Sequence, residues 1–156
     1  MNFSFQAVFE KEKFNAVPFY SFSDSSFGCE PFCSDCCIMI DKRYTALEMS
    51  LLDNTICGIS GYNPKEKWIK EKLSYPKTKA ICGQLRLAKI DFVPSGSAFT
   101  YNREWSTFFD SESKVVCIGD IQLKPEMILV EFCNNMIAAL MGDKLVSLWL
   151  LPTFRE

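Results

Sequence analysis

From Cys36 onward, apolar and polar positions change over with a period of two, in short stretches separated by turn residues, which is the pattern of half-buried strands. Cys36 to Asp41 is a compact apolar run, and Asp41-Lys42-Arg43 predicts a turn. Thr45, Leu47, Met49 and Leu51 alternate with Ala46, Glu48 and Ser50; Asp53-Asn54 marks another turn and 55–59 a short strand, so this region reads as an antiparallel meander. Farther on, Ile81, Leu85 and Leu87 hold one parity and Ile90 and Phe92 the other, and the switch at Ala88-Lys89 predicts a bulge or bend. Pro94-Ser95-Gly96-Ser97 is a strong turn signal. Phe99, Tyr101 and Trp105 alternate with polar neighbours towards Phe109, a turn follows at 110–113, and Val115, Cys117, Ile121 and Leu123 form the next face. The runs 127–133, 136–141 and 145–151 complete the series, divided by Asn134-Asn135 and by Gly142-Asp143, a hairpin signal. A helix over 125–141 is the rival there, opening on Pro125. The β-branched Ile128, Val130 and Ile137 and the Asn pair favour strands.

One stretch breaks the period of two and predicts a helix over 63–73. Asn63 suits an N-cap, Pro64 the first helical position, Glu66 the first turn, and Lys70 and Lys72 the end. Trp68, Ile69 and Leu73 would share its packed face, and Tyr75-Pro76 would stop it. Towards the start, Phe3, Phe5, Val8 and Phe9 suit a first strand, whereas 18–31 reads as a loop with aromatic anchors, and 1–35 as a whole is poorly defined. The expectation is one domain over 1–156 of the α+β class: a mainly antiparallel β-sheet of about six to nine strands, with one amphipathic helix packed on a face.

Composition supports a globular domain and narrows its partners. The chain of 156 residues is 48% hydrophobic and 23% charged, and its 14 phenylalanines suit a core of large flat side chains on pleated surfaces. A net charge of −2 offers no basic footprint for nucleic acid. No run approaches the roughly 18 apolar residues of a membrane span, and the start shows no signal-peptide pattern, so a cytoplasmic protein is expected. In that setting the eight cysteines read as reduced thiols, with Cys57, Cys82, Cys117 and Cys133 embedded in apolar runs.

Histidine is absent, which removes Ser-His-Asp and Cys-His catalysis and histidine-ligated metals. No phosphate loop, nucleophile elbow or dinucleotide fingerprint is present, so no catalytic residue is assigned and no cofactor is implied. Cys29, Cys33, Cys36 and Cys37 form the one thiol cluster. Cys33 and Cys36 are spaced as a C-x-x-C, which suits a redox dithiol or a metal site, but the strand-like residues after Cys37 do not supply the helix that would activate it. Glu104, Asp110, Glu112 and Asp120 fall on or between consecutive predicted strands. They form either an edge that discourages strand pairing or an acidic patch for a basic protein partner. Trp105 and Trp149 read as core or sheet-face anchors.

The spacing of Tyr62, Trp68 and Leu73 with Lys67-Trp68-Ile69-Lys70, followed by Trp105, Phe108-Phe109, 115–123 and 145–149, resembles the helix-then-strands pattern of bacterial contact-dependent growth inhibition immunity proteins over about residues 62–149. The resemblance implies a small cytoplasmic protein that binds and neutralises one cognate toxin, without enzymatic activity, and it carries no binding residue over to this chain. The alternative function is a thiol-dependent redox enzyme or metal-binding protein using the Cys29–Cys37 cluster. A third is an assembly subunit whose strand edges pair with copies of itself.

Overall fold

The computed structural model describes residues 4–32, 34–88 and 98–156, and their regular secondary structure is nearly all strand. The strands are β1 (Ser4–Val8), β2 (Val17–Ser21), β3 (Ser26–Glu30), β4 (Cys36–Asp41), β5 (Ala46–Ser50), β6 (Thr55–Tyr62), β7 (Ile69–Lys70) and β8 (Ile81–Cys82). They continue as β9 (Gln84–Ala88), β10 (Ala98–Trp105), β11 (Thr107–Phe109), β12 (Val116–Gly119), β13 (Ile128–Cys133), β14 (Met136–Met141), β15 (Lys144–Leu150) and β16 (Thr153–Arg155). A nine-stranded sheet runs β10-β4-β5-β6-β3-β2-β16, with β9 joined to β6 and β1 to β9. A seven-stranded sheet runs β7-β11-β12-β15-β14-β13-β8. Most ladders are antiparallel, as expected; four are parallel, β10 on β4, β7 on β11, β8 on β13 and β16 on β2.

The two sheets share one core. Ile38, Ile40, Leu47, Met49, Ile56 and Ile59 from the larger sheet meet Val116, Ile118, Val130, Phe132, Leu148 and Leu150 from the smaller. The opposite parity of the smaller sheet is covered as well. Cys117, Leu129, Ile137 and Trp149 lie with Val115 and Leu73 under Tyr75, Ile121, Leu123 and Met127. Because both faces are buried, the strands after 115 read as continuous apolar runs, and these were the stretches where a helix competed with a strand in the sequence. They are strands with tight turns at Asn135, in the left-handed region, and at Gly142.

The α+β expectation is overturned: the described residues contain no α-helix, only a single 3-10 turn at Lys65–Lys67. Asn63 does not cap a helix, because its side chain is buried and bonded to other strands, and Trp68 leaves the turn with extended dihedrals, φ −70° and ψ 144°. Among the residues assigned to the helix's packed face, Leu73 is buried but Ile69 is exposed. Ten or so residues form a marginal helix in isolation, and here pairing of β7 with β11 replaces it. The 18–31 loop is also corrected: it is the β2–β3 hairpin, turned at Ser25 with positive φ, and it buries Tyr20 and Phe27. The strand count of six to nine becomes 16 among the described residues, in two sheets rather than one. The bulge placed at Ala88-Lys89, the strand residues Ile90 and Phe92, and the 94–97 turn lie outside the described residues beyond Ala88.

Candidate functional site

The chain leaves β6 at Tyr62 and enters a ribbon, 64–80, that pairs as β7 on one edge of the smaller sheet and then crosses its outer face, where Leu73, Tyr75 and Ala80 pack, to β8 on the opposite edge. Its start is fixed by a buried polar network. Asn63 receives no solvent, and its side-chain amide donates to Asp41 Oδ2 (3.2 Å), Thr45 Oγ1 (3.0 Å) and Thr107 Oγ1 (2.8 Å). Its side-chain oxygen accepts the Trp68 indole N–H at 2.9 Å, and its backbone carbonyl accepts the Tyr20 hydroxyl at 2.7 Å. Asp41 in turn accepts the backbone N–H groups of Arg43 and Thr45 and the Thr45 hydroxyl. The turn after β4, the end of β6, β11 and the ribbon are thereby tied together in the sandwich interior. Gly61, at φ 109°, allows the approach: a Cβ there would lie 2.0 Å from the Tyr44 carbonyl oxygen.

Trp68 carries this network to the surface. Its ring lies 4.7 Å from Tyr20, 5.3 Å from Phe109 and 5.8 Å from Phe27, on which it stacks. Beyond it opens a cleft of about 730 Å³ between 65–72 and 109–112. Trp68 and Phe109 form the apolar wall, and Lys65, Lys70 and Lys72 stand around it. Lys65 Nζ sits 5.0 Å from the centre of the exposed Phe22 ring and 5.2 Å from that of Phe109, in cation–π range. On the far side, Asp110 accepts the Leu73 N–H at 2.8 Å and the N–H groups of Glu112 and Ser113, and these bonds hold its carboxyl below the usual range. Asp110 is therefore a turn-former, whereas Glu112 is exposed at the lip.

The four acidic residues singled out in the sequence do not form one patch. Asp110 and Glu112 are at the turn end of the β11–β12 hairpin, while Glu104 and Asp120 lie at its other end, beyond Ser106 and Gly119. Glu104 faces Lys42 at 3.5 Å across exposed surface, and Asp120 accepts the Gln122 N–H. Of the tryptophans, Trp149 is buried on the outer face of the smaller sheet and Trp105 is half-buried against Tyr101.

The thiol cluster is dispersed too. Cys29 is buried on β3 beside Met136, and burial pushes its thiol up to about 12. Cys36 is buried on β4 with its thiol raised to about 11 by burial, Cys37 is half-buried with its thiol raised for the same reason, and Cys33 lies outside the described residues. Such thiols are weak nucleophiles. Among the described residues, no three Cys, Asp or Glu side chains are grouped closely enough to hold a metal ion. Cys57 departs from the all-reduced expectation: it is disulfide-bonded, while Cys29, Cys36, Cys37, Cys82, Cys117 and Cys133 are free. Cys82 alone among these six is exposed, so it is expected to alkylate on the order of 100-fold faster than Cys29, Cys117 and Cys133 in the native protein, as read by mass spectrometry.

A second polar cluster has no forerunner in the sequence reading. Glu131, on β13, is buried and accepts from Lys13 Nζ (2.6 Å), Lys77 Nζ (2.9 Å) and the Tyr75 hydroxyl (2.8 Å), with Cys82 Sγ at 3.7 Å. Its partners come from the N-terminal segment and from the far end of the ribbon, so the carboxylate clamps both to the sheet. Burial raises its pKa, and the bonds from Lys13, Lys77 and Tyr75 outweigh that and hold it below the ordinary value.

The ribbon's charge was visible in the sequence. Residues 65–79 hold six lysines against two glutamates, while the rest of the chain has 11 Lys or Arg against 17 Asp or Glu. Three of those lysines, Lys65, Lys70 and Lys72, line the aromatic cleft at the β7 edge, whereas Lys77 is bound to Glu131 near the opposite edge. No protein-family model, no curated protein and no solved structure matches the chain.

Proposed function

We propose that this chain is a non-enzymatic binding domain that engages a protein partner at the end of the sandwich where 65–72 faces 109–112. The observation that carries the reading is the cleft: a wall of Trp68 and Phe109 flanked by Lys65, Lys70 and Lys72, none of which has an ion-pair partner among the described residues. An apolar concavity supplies buried area, and unpaired charges around it supply orientation and rate of encounter. In its specific form, the reading is an immunity protein that covers the working surface of a cognate toxin. The stretch around Trp68 is not a helix, so that form draws its support from the binding surface alone. A basic surface replaces the acidic patch as the part that meets the partner. No helix among the described residues is long and apolar enough to cross a membrane. Cytoplasmic neutralisation is the setting proposed, and the disulfide at Cys57 is the feature that sits least easily with it.

The test is co-expression with a toxin whose reading frame lies beside that of this chain. The expected result is survival, lost when Lys70→Glu and Lys72→Glu are combined in a protein that still folds. Continued killing in the presence of the wild-type chain removes the immunity reading, and protection that ignores the charge reversal moves the interface elsewhere.

A further inference from the structure

We propose, resting on the binding reading above, that the partner contributes an extended acidic peptide segment that adds to the smaller sheet as a new strand beyond β7. Among the described residues β7 is the terminal strand of that sheet, with β11 on one side only. The Glu71 N–H donates inward to the Phe109 carbonyl oxygen at 3.1 Å, and the Leu73 N–H to Asp110. Backbone groups of alternate residues in a strand point to opposite sides, so Lys70 and Lys72 turn their N–H groups outward, away from β11. The edge is therefore open over the same residues that line the cleft.

The side chains choose the occupant. Leu73 belongs to the outer-face cluster and Trp68 packs against the core between the sheets, so alternation puts Lys70 and Lys72 on the Trp68 side, beside the cleft, and Glu71 with Leu73. Of the carboxylates lining the cleft, Asp110 is taken up by three backbone N–H groups, leaving Glu71 and Glu112 against three lysines. Over 65–72, the part of the ribbon at this edge, four lysines stand against two glutamates in a chain whose net charge is −2. Lysines on an edge strand also discourage unwanted pairing. That role accounts for Lys70 and Lys72, but it does not account for Lys65 or for the apolar cleft wall formed by half-buried Trp68 and the edge of buried Phe109. A strand with carboxylates on one face and an apolar residue to enter the cleft satisfies all of these at once: backbone bonds give affinity, and alternate side chains give selectivity.

The test uses the full isotope-labelled chain and three probes: a synthetic peptide alternating Glu with Thr and ending in Leu, the same peptide with Lys for Glu, and an oligothymidylate. The Glu peptide is expected to shift the Trp68 indole signal and to slow hydrogen exchange of the Lys70 and Lys72 amides at least tenfold. Lys70→Pro, which removes the outward N–H together with the ammonium, is expected to bind about tenfold more weakly than Lys70→Gln, which keeps the N–H. Lys70→Gln with Lys72→Gln, which keeps the backbone, is expected to weaken it and flatten its salt dependence. Equal or tighter binding of the Lys peptide or the oligothymidylate overturns the acidic-peptide assignment. Shifts at Trp68 with unchanged exchange at Lys70 and equal affinity in Lys70→Pro and Lys70→Gln overturn strand addition while leaving the cleft as the binding site. If no probe binds and the charge reversal still abolishes protection in co-expressing cells, strand addition fails and the binding reading stands.

Discussion

Removing both lysines that face Glu131, as Lys13→Met with Lys77→Met, is expected to cost about 3–5 kcal/mol of unfolding free energy, and to cost more than Glu131→Gln. The asymmetry follows from exposure. The Glu131 side chain is 2% exposed, whereas Lys13 is 23% and Lys77 62% exposed, so the lysines can turn to water when the carboxylate is neutralised but the carboxylate cannot follow when they go. Lys77, being largely solvated, contributes the smaller part, and Lys13 with the Tyr75 hydroxyl the larger. The pH dependence changes sign between the variants. In the wild type the folded-state pKa of Glu131 is depressed, so its contribution is present above the ordinary carboxylate value of about 4.3 and is lost as the pH falls through the lower folded value. Without the lysines, burial is left to raise that pKa, and mild acidification then stabilises the protein. Glu131→Gln removes this titration in either background. Urea unfolding between neutral and acidic pH reads all three behaviours, and equal losses for the lysine pair and for Glu131→Gln would contradict the clamp.

The second large effect is expected at Asn63. Asn63→Ala should cost about 3 kcal/mol or more, because it strands the Trp68 indole N–H in the interior and leaves Asp41, Thr45 and Thr107 without the amide that joins them. Asn63→Asp keeps the volume but sets a second carboxylate 3.2 Å from the buried Asp41, so the near-isosteric change should be no milder than the truncation. Either variant frees the ribbon at its start, so the Trp68 emission should move to the red before global unfolding. A mild Asn63→Asp with unshifted emission would show that the network does not hold the ribbon.

The strands from Thr107 to Leu150 were legible because most are short apolar or alternating runs closed by turn chemistry that the structure uses: Asp110, Asn135, and Gly142 with Asp143. The run from Val115 to Leu123 was overextended, since β12 ends at Gly119 and Ile121 and Leu123 cover the sheet from outside any strand. The region 63–73 was misread because its local signals agree with one another. Asn63, Pro64, Glu66 and the terminal lysines are placed as a helix would want them, and only partners distant in sequence decide otherwise. Thr107, Asp41 and Thr45 claim the Asn63 side-chain amide, and β11 claims the backbone of Ile69 and Glu71. The β2–β3 hairpin was hidden by serines and glycine between its aromatics, which suggested a loop until Tyr20, Phe27 and Trp68 were brought together. Glu131 gave no warning either. It sits in an apolar run, and Lys13 and Lys77 lie 118 and 54 residues away along the chain. Of the Cys29–Cys37 cluster, carried only as the alternative site, Cys29 lies on β3 and Cys36 and Cys37 on neighbouring positions of β4.

The claim on which the binding site rests is that 65–72 is an extended edge ribbon with Lys70 and Lys72 turned outward. Amide hydrogen exchange of the free protein, resolved by residue, tests it most directly. The Glu71 amide should be protected by its bond to the Phe109 carbonyl and the Leu73 amide by Asp110, while the Lys70 and Lys72 amides between them exchange close to the rate of an unstructured chain. Continuous protection through 67–73 with helical carbon shifts would contradict it.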